Sequence, residues 1–145
     1  MRYIIAAALL GVAVVATATP VQFTGHWSID LRSAEARARN AECGSAEFEL
    51  SQQGDRISGS HSFATVDCGR VNEGGPDSVR GVVVNGEAVL VVTSARNGAV
   101  VLGTAKLRNG KLYWHYREEV RPSDVEGDSP LILESAVLVQ NKAAR

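Results

Sequence analysis

Hydrophobic and polar side chains alternate along most of the chain after residue 22. In the first such segment Phe23, Gly25 and Trp27 alternate with Thr24 and His26. A period of two residues is typical of a β-strand that buries one face. The pattern recurs eight times and predicts strands at residues 23–32, 46–53, 56–64, 78–84, 87–94, 99–108, 111–119 and 131–140.

Short turn sequences separate several of these strands. Asn-Gly pairs occupy positions 85–86, 97–98 and 109–110, and Gly54-Asp55 separates the second strand from the third. Asn-Gly favours a two-residue hairpin because both residues tolerate the positive φ angles of a type I′ turn. Each of these hairpins therefore predicts which residues face each other across the strands.

The three Asn-Gly turns predict one continuous apolar face. They place Val79 opposite Val92, Leu90 opposite Ala105, and Ala105 opposite Trp114. Eight sequential antiparallel strands with one apolar face tend to close, since closure removes the sheet edges. We therefore predict an all-β fold, a single eight-stranded antiparallel up-and-down barrel. The predicted inner face of its central strands comprises Val79, Gly81, Val83, Ala88, Leu90, Val92, Gly103, Ala105, Leu107, Leu112, Trp114 and Tyr116.

On the last strand, the alternation favours the odd-numbered residues as the inner set. Leu131, Leu133, Val137 and Val139 are apolar, with Ser135 between them. We therefore expect these side chains to point into the barrel.

The first 18 residues have the pattern of a secretory signal peptide. Arg2 is followed by an uncharged apolar run and by Ala16-Thr17-Ala18, a small-x-small cleavage sequence. The alternative is a membrane anchor, but the run is shorter than the ~20 residues that a spanning helix needs. Cleavage is predicted after Ala18, which leaves residues 19–145 as one barrel domain without a membrane anchor. The expected location is the periplasm or the extracellular space.

The two cysteines are predicted to form a disulfide. Export to an oxidising compartment favours a Cys43–Cys68 bond, which could contribute roughly 3 kcal/mol; the alternative is one reactive thiol and one buried thiol. The turn at Gly54-Asp55 brings both cysteines to the open end of the same hairpin. The bond would then tie down residues 33–42, which are rich in Ala, Arg and Glu and favour a short helix. Residues 121–129 are polar and predict a second long loop.

Charge excludes some classes of partner. The 15 basic and 16 acidic residues give a net charge of −1, and removal of Arg2 changes this to 14 − 16 = −2. No block of like charge is present, so neither nucleic acid nor an anionic membrane is the expected partner.

The sequence Phe23-Thr24-Gly25-His26-Trp27 resembles the G-x-W opening of calycin barrels, which include lipocalins, avidins and small inhibitors of secreted metalloproteases. The resemblance implies that Trp27 packs across one end of the barrel, and the similar pattern extends from Phe23 to about Gln140. For the inhibitors it also implies that residues 19–22, ahead of the barrel, enter a protease cleft. The Thr-Asp-Tyr signature of lipocalins and the biotin-binding residues of avidins are both missing from the chain.

The histidines do not predict a metal site. The register points His26 and His115 outward and only His61 inward, and no Cys or His pair has the spacing of metal ligands. No cofactor is expected. The serine-nucleophile and phosphate-loop motifs are also missing, so no catalytic residue is assigned.

A set of inward residues could line a ligand cavity. His61 and Glu118, with Glu118 expected opposite Val101, could orient a ligand or act as an acid/base pair. They could equally be a hydrogen-bonded core histidine and a glutamate at the rim, and the aromatic rings could fill the interior completely. The candidate cavity residues are His61, Phe63, Trp114, Tyr116 and Glu118.

The predicted outer face carries unusually many apolar residues. Such residues on adjoining strands form an ordinary β-surface or an interface with a protein partner or a second copy. The interface candidates are Val82, Val84, Val89, Val91, Val100, Leu102 and Tyr113.

These features together favour a non-enzymatic exported binding barrel that captures a small apolar ligand or a protein partner. The alternatives are an inhibitor or immunity-type protein that acts on a secreted hydrolase, and a small barrel enzyme that uses His61 and Glu118.

Overall fold

The computed structural model describes residues 21–123 and 133–141. The predicted signal peptide, most of the predicted loop at 121–129 and the first residues of the predicted last strand lie outside this part of the chain.

The described chain forms a closed antiparallel barrel in which each strand pairs with the next and the last pairs with the first. The predicted fold class is therefore confirmed. A short helix after the first strand begins at its N-cap Ser33, whose hydroxyl accepts a hydrogen bond from the amide of Ala36. The elements are β1 Gly25–Asp30, α1 Ala34–Ala38, β2 Ser45–Gln53, β3 Arg56–Ala64, β4 Val71–Val84, β5 Glu87–Thr93, β6 Val100–Arg108, β7 Lys111–Arg121 and β8 Ser135–Asn141.

Two of the three Asn-Gly turns set the register as predicted. Val79 pairs with Val92 across the first, and Ala105 pairs with Trp114 across the third. Both residues of each turn have positive φ, as a type I′ turn requires.

The prediction for the second Asn-Gly turn is wrong by two residues. Leu90 pairs with Gly103 rather than with Ala105, because a four-residue loop at 95–98 replaces the two-residue turn. The Asn97 side chain is buried and accepts the amide hydrogen of Ala99, and only Gly98 has a positive φ. An even shift returns every side chain to its predicted face, so the inner face survives the error.

The predicted inner face of β8 is also wrong. Val137 and Val139 are exposed, whereas Leu138 is fully buried and pairs with Leu112. Residues 136–139 are apolar at both odd and even positions, so alternation alone could not decide which face is buried.

Side chains fill the barrel interior. Trp114 lies at its centre, 5.2 Å between ring centroids from Phe48, and its indole N–H donates to the carbonyl of Leu133 at 2.9 Å. A Cβ atom on Gly103 would overlap the Trp114 ring, so the glycine makes room for the indole. The described residues therefore form a filled barrel rather than one with a ligand cavity. The largest fully buried side chains are Trp114, Phe23, Phe48, Phe63, Leu90, Leu112 and Leu138.

The closed barrel is compatible with the calycin resemblance. Trp27 is buried in the core, and its indole N–H donates to the carbonyl of Phe23 at 2.9 Å.

The predicted Cys43–Cys68 disulfide is confirmed, with 5.3 Å between the Cα atoms. It joins the segment after α1 to the turn between β3 and β4, where Cys43 also forms a β-bridge with Val66. A disulfide of this kind indicates an oxidising, non-cytoplasmic environment. Within residues 21–123 and 133–141, no helix has the length and apolarity to cross a bilayer.

Candidate functional site

Three of the five predicted cavity residues belong to the packed core. Phe63 and Trp114 are fully buried, and Tyr116 packs against the same cluster while half-buried. Their contacts are with other core side chains, so their position is explained by packing. A role in ligand binding stays a prediction.

Glu118 does not lie inside the barrel. A bulge in β7 pairs Tyr116 with Gly103 but Glu118 with Leu102, so Arg117 is an extra residue and Val101 pairs with Glu119 instead. The bulge moves Glu118 to the exposed surface. The prediction that Glu118 faces the interior opposite Val101 is therefore wrong.

His61 has two other partners, both from β4. Its Nδ1 atom lies 3.0 Å from the Ser78 hydroxyl oxygen, and its Nε2 atom lies 2.9 Å from Oδ1 of Asn72. An amide oxygen only accepts, so Nε2 carries the hydrogen and donates to Asn72. Nδ1 then carries no hydrogen, and its lone pair accepts the hydroxyl hydrogen of Ser78.

A wide bulge in β4 makes this arrangement. His61 pairs with Gly74 and Gly59 pairs with Val79, so residues 75–78 stand opposite a single residue of β3. Asp77 adopts a left-handed conformation with φ 63°, which aspartate tolerates better than most residues. The chain thereby turns Ser78 back toward the imidazole.

Gly74 provides the space in which the histidine and the serine meet. A Cβ atom at this position would overlap the side chain of Ser78 and would approach Cε1 of His61 to 2.8 Å. Only glycine fits there without displacing the cluster.

Burial sets the charge of His61. The side chain is 2 % exposed, and loss of hydration lowers the pKa of its imidazole below the usual value. The hydrogen bond with Asn72 and the nearby carboxylate of Glu73 oppose this pKa shift without cancelling it. The ring is accordingly neutral at neutral pH.

Two surface grooves flank the cluster. A polar groove of about 600 Å³ has His61, Glu49 and Glu73 among its lining residues. A groove of about 310 Å³ is lined by Ser78 together with Pro76, Val91, Thr93 and Ala95 among others. His61 thus borders one groove and Ser78 borders the other.

Sequence reasoning missed Ser78 and Asn72 as partners of His61. It started the fourth strand at residue 78 and treated Gly74-Gly75-Pro76 as part of a connection. A glycine pair followed by proline inside a longer strand is also typical of a bulge, and this was the available signal.

The predicted interface residues do point outward. Val82, Val84 and Val91 are 45 %, 53 % and 37 % exposed, and the other four are half-buried. Val82 pairs with Val89, and Val91 pairs with Leu102, so the residues adjoin across three strands. We call this surface the valine face; it comprises Val82, Val84, Val89, Val91, Val100, Leu102 and Tyr113.

The histidines do not assemble a metal site. His26 and His115 are exposed on the outer face as predicted, and His26 lies 3.0 Å from a carboxylate oxygen of Glu47. In the part of the chain that the structure describes, no group of three or more His, Cys, Asp or Glu side chains could hold a metal ion.

Comparison with known proteins gives no relative for this chain: no family model, curated protein or solved structure matches it.

Proposed function

We propose that the protein is an exported binding barrel that recognises a protein partner through the valine face. The observation that carries the proposal is the contrast between a filled interior and an exposed apolar outer surface. Export is supported by the signal-peptide pattern of residues 1–18 and by the Cys43–Cys68 disulfide.

The packing of the core favours a protein partner over a small apolar ligand. An internal ligand would have to occupy the volume that Trp114, Phe48 and Phe63 already fill. Outward apolar residues on four adjoining strands instead present a broad surface, which suits the contact area of a folded protein.

Charged side chains at the border of the valine face indicate which kind of partner surface it would bind. Arg80 and Lys106 form ion pairs with Asp77 and Glu87, at 3.3 and 3.0 Å, and Arg117 binds the hydroxyl of Thr104. Basic groups exceed acidic groups along this border, so the face is complementary to an apolar surface that carries carboxylates at its edge. The charged residues at the border are Arg56, Arg80, Lys106, Arg117, Asp77, Glu87 and Glu118.

The proposal predicts that charge on the valine face abolishes partner binding. We expect the tagged wild-type barrel to capture a defined, acidic-edged partner from its own exported fraction. The Val82→Glu, Val91→Glu double variant should bind that partner at least about tenfold more weakly, because the new carboxylates, opposite Arg56 and Arg80, would offset the basic border and repel the acidic edge of the partner. The measurement is cross-linking followed by quantitative mass spectrometry and by titration with the identified partner.

Val139→Glu provides the matched control, because Val139 is an exposed valine on the outer face of β8, where it pairs with Ser28 and Lys111, away from β4 and β5. This control should retain wild-type affinity. Equal binding by the valine-face variant would contradict the proposal. So would a dimer mass for the purified protein that becomes monomeric in that variant, since the face would then bind a second copy.

A further inference from the structure

Beyond partner binding, we propose that Ser78 is a nucleophile activated by His61, and that it accepts the acyl group of a small carboxylic ester. The sequence motifs do not indicate this chemistry, because the serine and its base are brought together only by the bulge in β4.

The hydrogen-bond directions provide the first support. Asn72 accepts from Nε2 of His61 at 2.9 Å, which leaves the lone pair on Nδ1 directed at the Ser78 hydroxyl 3.0 Å away. This is the tautomer that a general base requires, held by a third residue that fixes the ring orientation. Any two polar groups would complete the hydrogen bonding of a core histidine. Here the arrangement of donor and acceptor leaves the basic nitrogen, Nδ1, beside a hydroxyl nucleophile.

The position of Ser78 provides the second support. His61 is buried, but Ser78 is only partly buried and lines the groove of about 310 Å³. Pro76, Val91 and Ala95 give that groove carbon surface, and the ion pair of Asp77 and Arg80 also lines it. Its size suits a short acyl chain rather than a polymer.

The local backbone provides the third support. Gly74 leaves the space that both side chains occupy, and Asp77, directly before Ser78, has φ 63°. If β4 continued regularly from the His61–Gly74 pair, Ser78 would lie opposite Ile57, four residues along β3 from His61. The bulge therefore has a specific consequence, the contact between Oγ and Nδ1.

The reaction balances with the groups present and one water. Oγ of Ser78 forms a bond to the ester carbonyl carbon while its proton passes to Nδ1 of His61. The bond from that carbon to the alcohol oxygen then breaks, and the alcohol leaves with the proton from Nδ1. Water then attacks the acyl carbon while Nδ1 takes its proton; the bond from that carbon to Oγ breaks, the proton passes from Nδ1 to Oγ, and the carboxylic acid leaves.

The test is covalent labelling of the isolated full-length exported protein with an alkyl fluorophosphonate, read by intact mass and peptide mapping. Attack by Ser78 displaces fluoride and adds one phosphonyl group. We expect one equivalent of label at Ser78, formed at least about a hundredfold faster than at the exposed Ser62, since general-base assistance contributes at least this much.

Variants separate activation from mere exposure. Ser78→Ala should lose the label, and Ser62→Ala should label like the wild type. Asn72→Ala should retain Ser78 but label it more slowly, with a changed pH profile, because the ring loses its orienting partner. Near-UV circular dichroism confirms that each variant is folded.

Three results would overturn the inference: no label at Ser78, equal rates at Ser78 and Ser62, or a folded His61→Gln variant that labels at the wild-type rate. None of these results would contradict partner binding through the valine face, because no partner is present in the labelling reaction.

Discussion

His61 is the buried ionisable side chain around which the β4 bulge is organised. Its direct partners, Asn72 and Ser78, are neutral, and the nearest charge acting on it is the carboxylate of Glu73. Because burial lowers the pKa of the imidazole, a proton binds more weakly to the folded protein than to the unfolded chain. Stability must therefore depend on pH through this residue.

We predict that His61 makes the protein less stable below neutral pH. Its contribution is fully present above the unfolded pKa of about 6.5 and is lost as pH falls toward the lower folded pKa, at up to about 1.4 kcal/mol per pH unit. Urea unfolding at several pH values should show this loss in the wild type and a flatter dependence in His61→Gln.

His115→Gln is the control, because His115 is exposed on the outer face. It should follow the wild-type pH dependence, and parallel curves for wild type and His61→Gln would contradict the prediction.

Asp30 affects stability in a more acidic pH range: its hydrogen bonds with Arg32 lower the pKa of the carboxyl to about 2. The stability it contributes is present above its unfolded pKa of about 3.9 and is lost only in stronger acid.

The strands show which parts of this site the sequence could predict. Alternation and two Asn-Gly turns placed His61 inside and the valine face outside, because both follow from local periodicity. The bulges in β4 and β7 were not predictable in this way, since each depends on pairing with a distant neighbour. Consequently Glu118 was expected to face the interior, and Ser78 was not expected beside His61, where it lies.

The segment between β1 and β2 depends on the disulfide. Cys43 and Cys68 are 25 residues apart and attach the α1 segment to the β3–β4 turn. We predict that Cys43→Ser, Cys68→Ser lowers the free energy of unfolding by about 3 kcal/mol, because the unfolded chain gains freedom. Urea denaturation measures the loss.

Hydrogen exchange locates the effect of this change. Amides of residues 33–44 should exchange faster in the double variant, while those of β5 and β6 change only with global stability. Uniformly faster exchange across both regions, or no loss of stability, would show that the bond does not anchor this segment.

The barrel as a whole is packed rather than hollow, so we expect it not to carry a small molecule in its interior. Native mass spectrometry of the purified protein should give the mass of the polypeptide without a bound small molecule. A ligand-sized excess in mass would contradict the filled interior.

A matched pair of aromatic substitutions extends this test. Trp114→Ala should lower the free energy of unfolding by about 3–5 kcal/mol and open a cavity that binds a small apolar probe. Tyr113→Ala, one residue away on the outer face, should cost much less and bind no probe. Similar losses in both variants would contradict the assigned faces.

Closure of the barrel depends on a short seam between its two most distant strands. Ser28 of β1 pairs with Val139 of β8 and binds the side chain of Asn141, 113 residues further along the chain. At roughly 5–20 residues per second, synthesis of that interval takes roughly 6–23 seconds. The free edge of β1 therefore has no native partner until β8 has been made, and a chain that stops before β8 keeps two open edges.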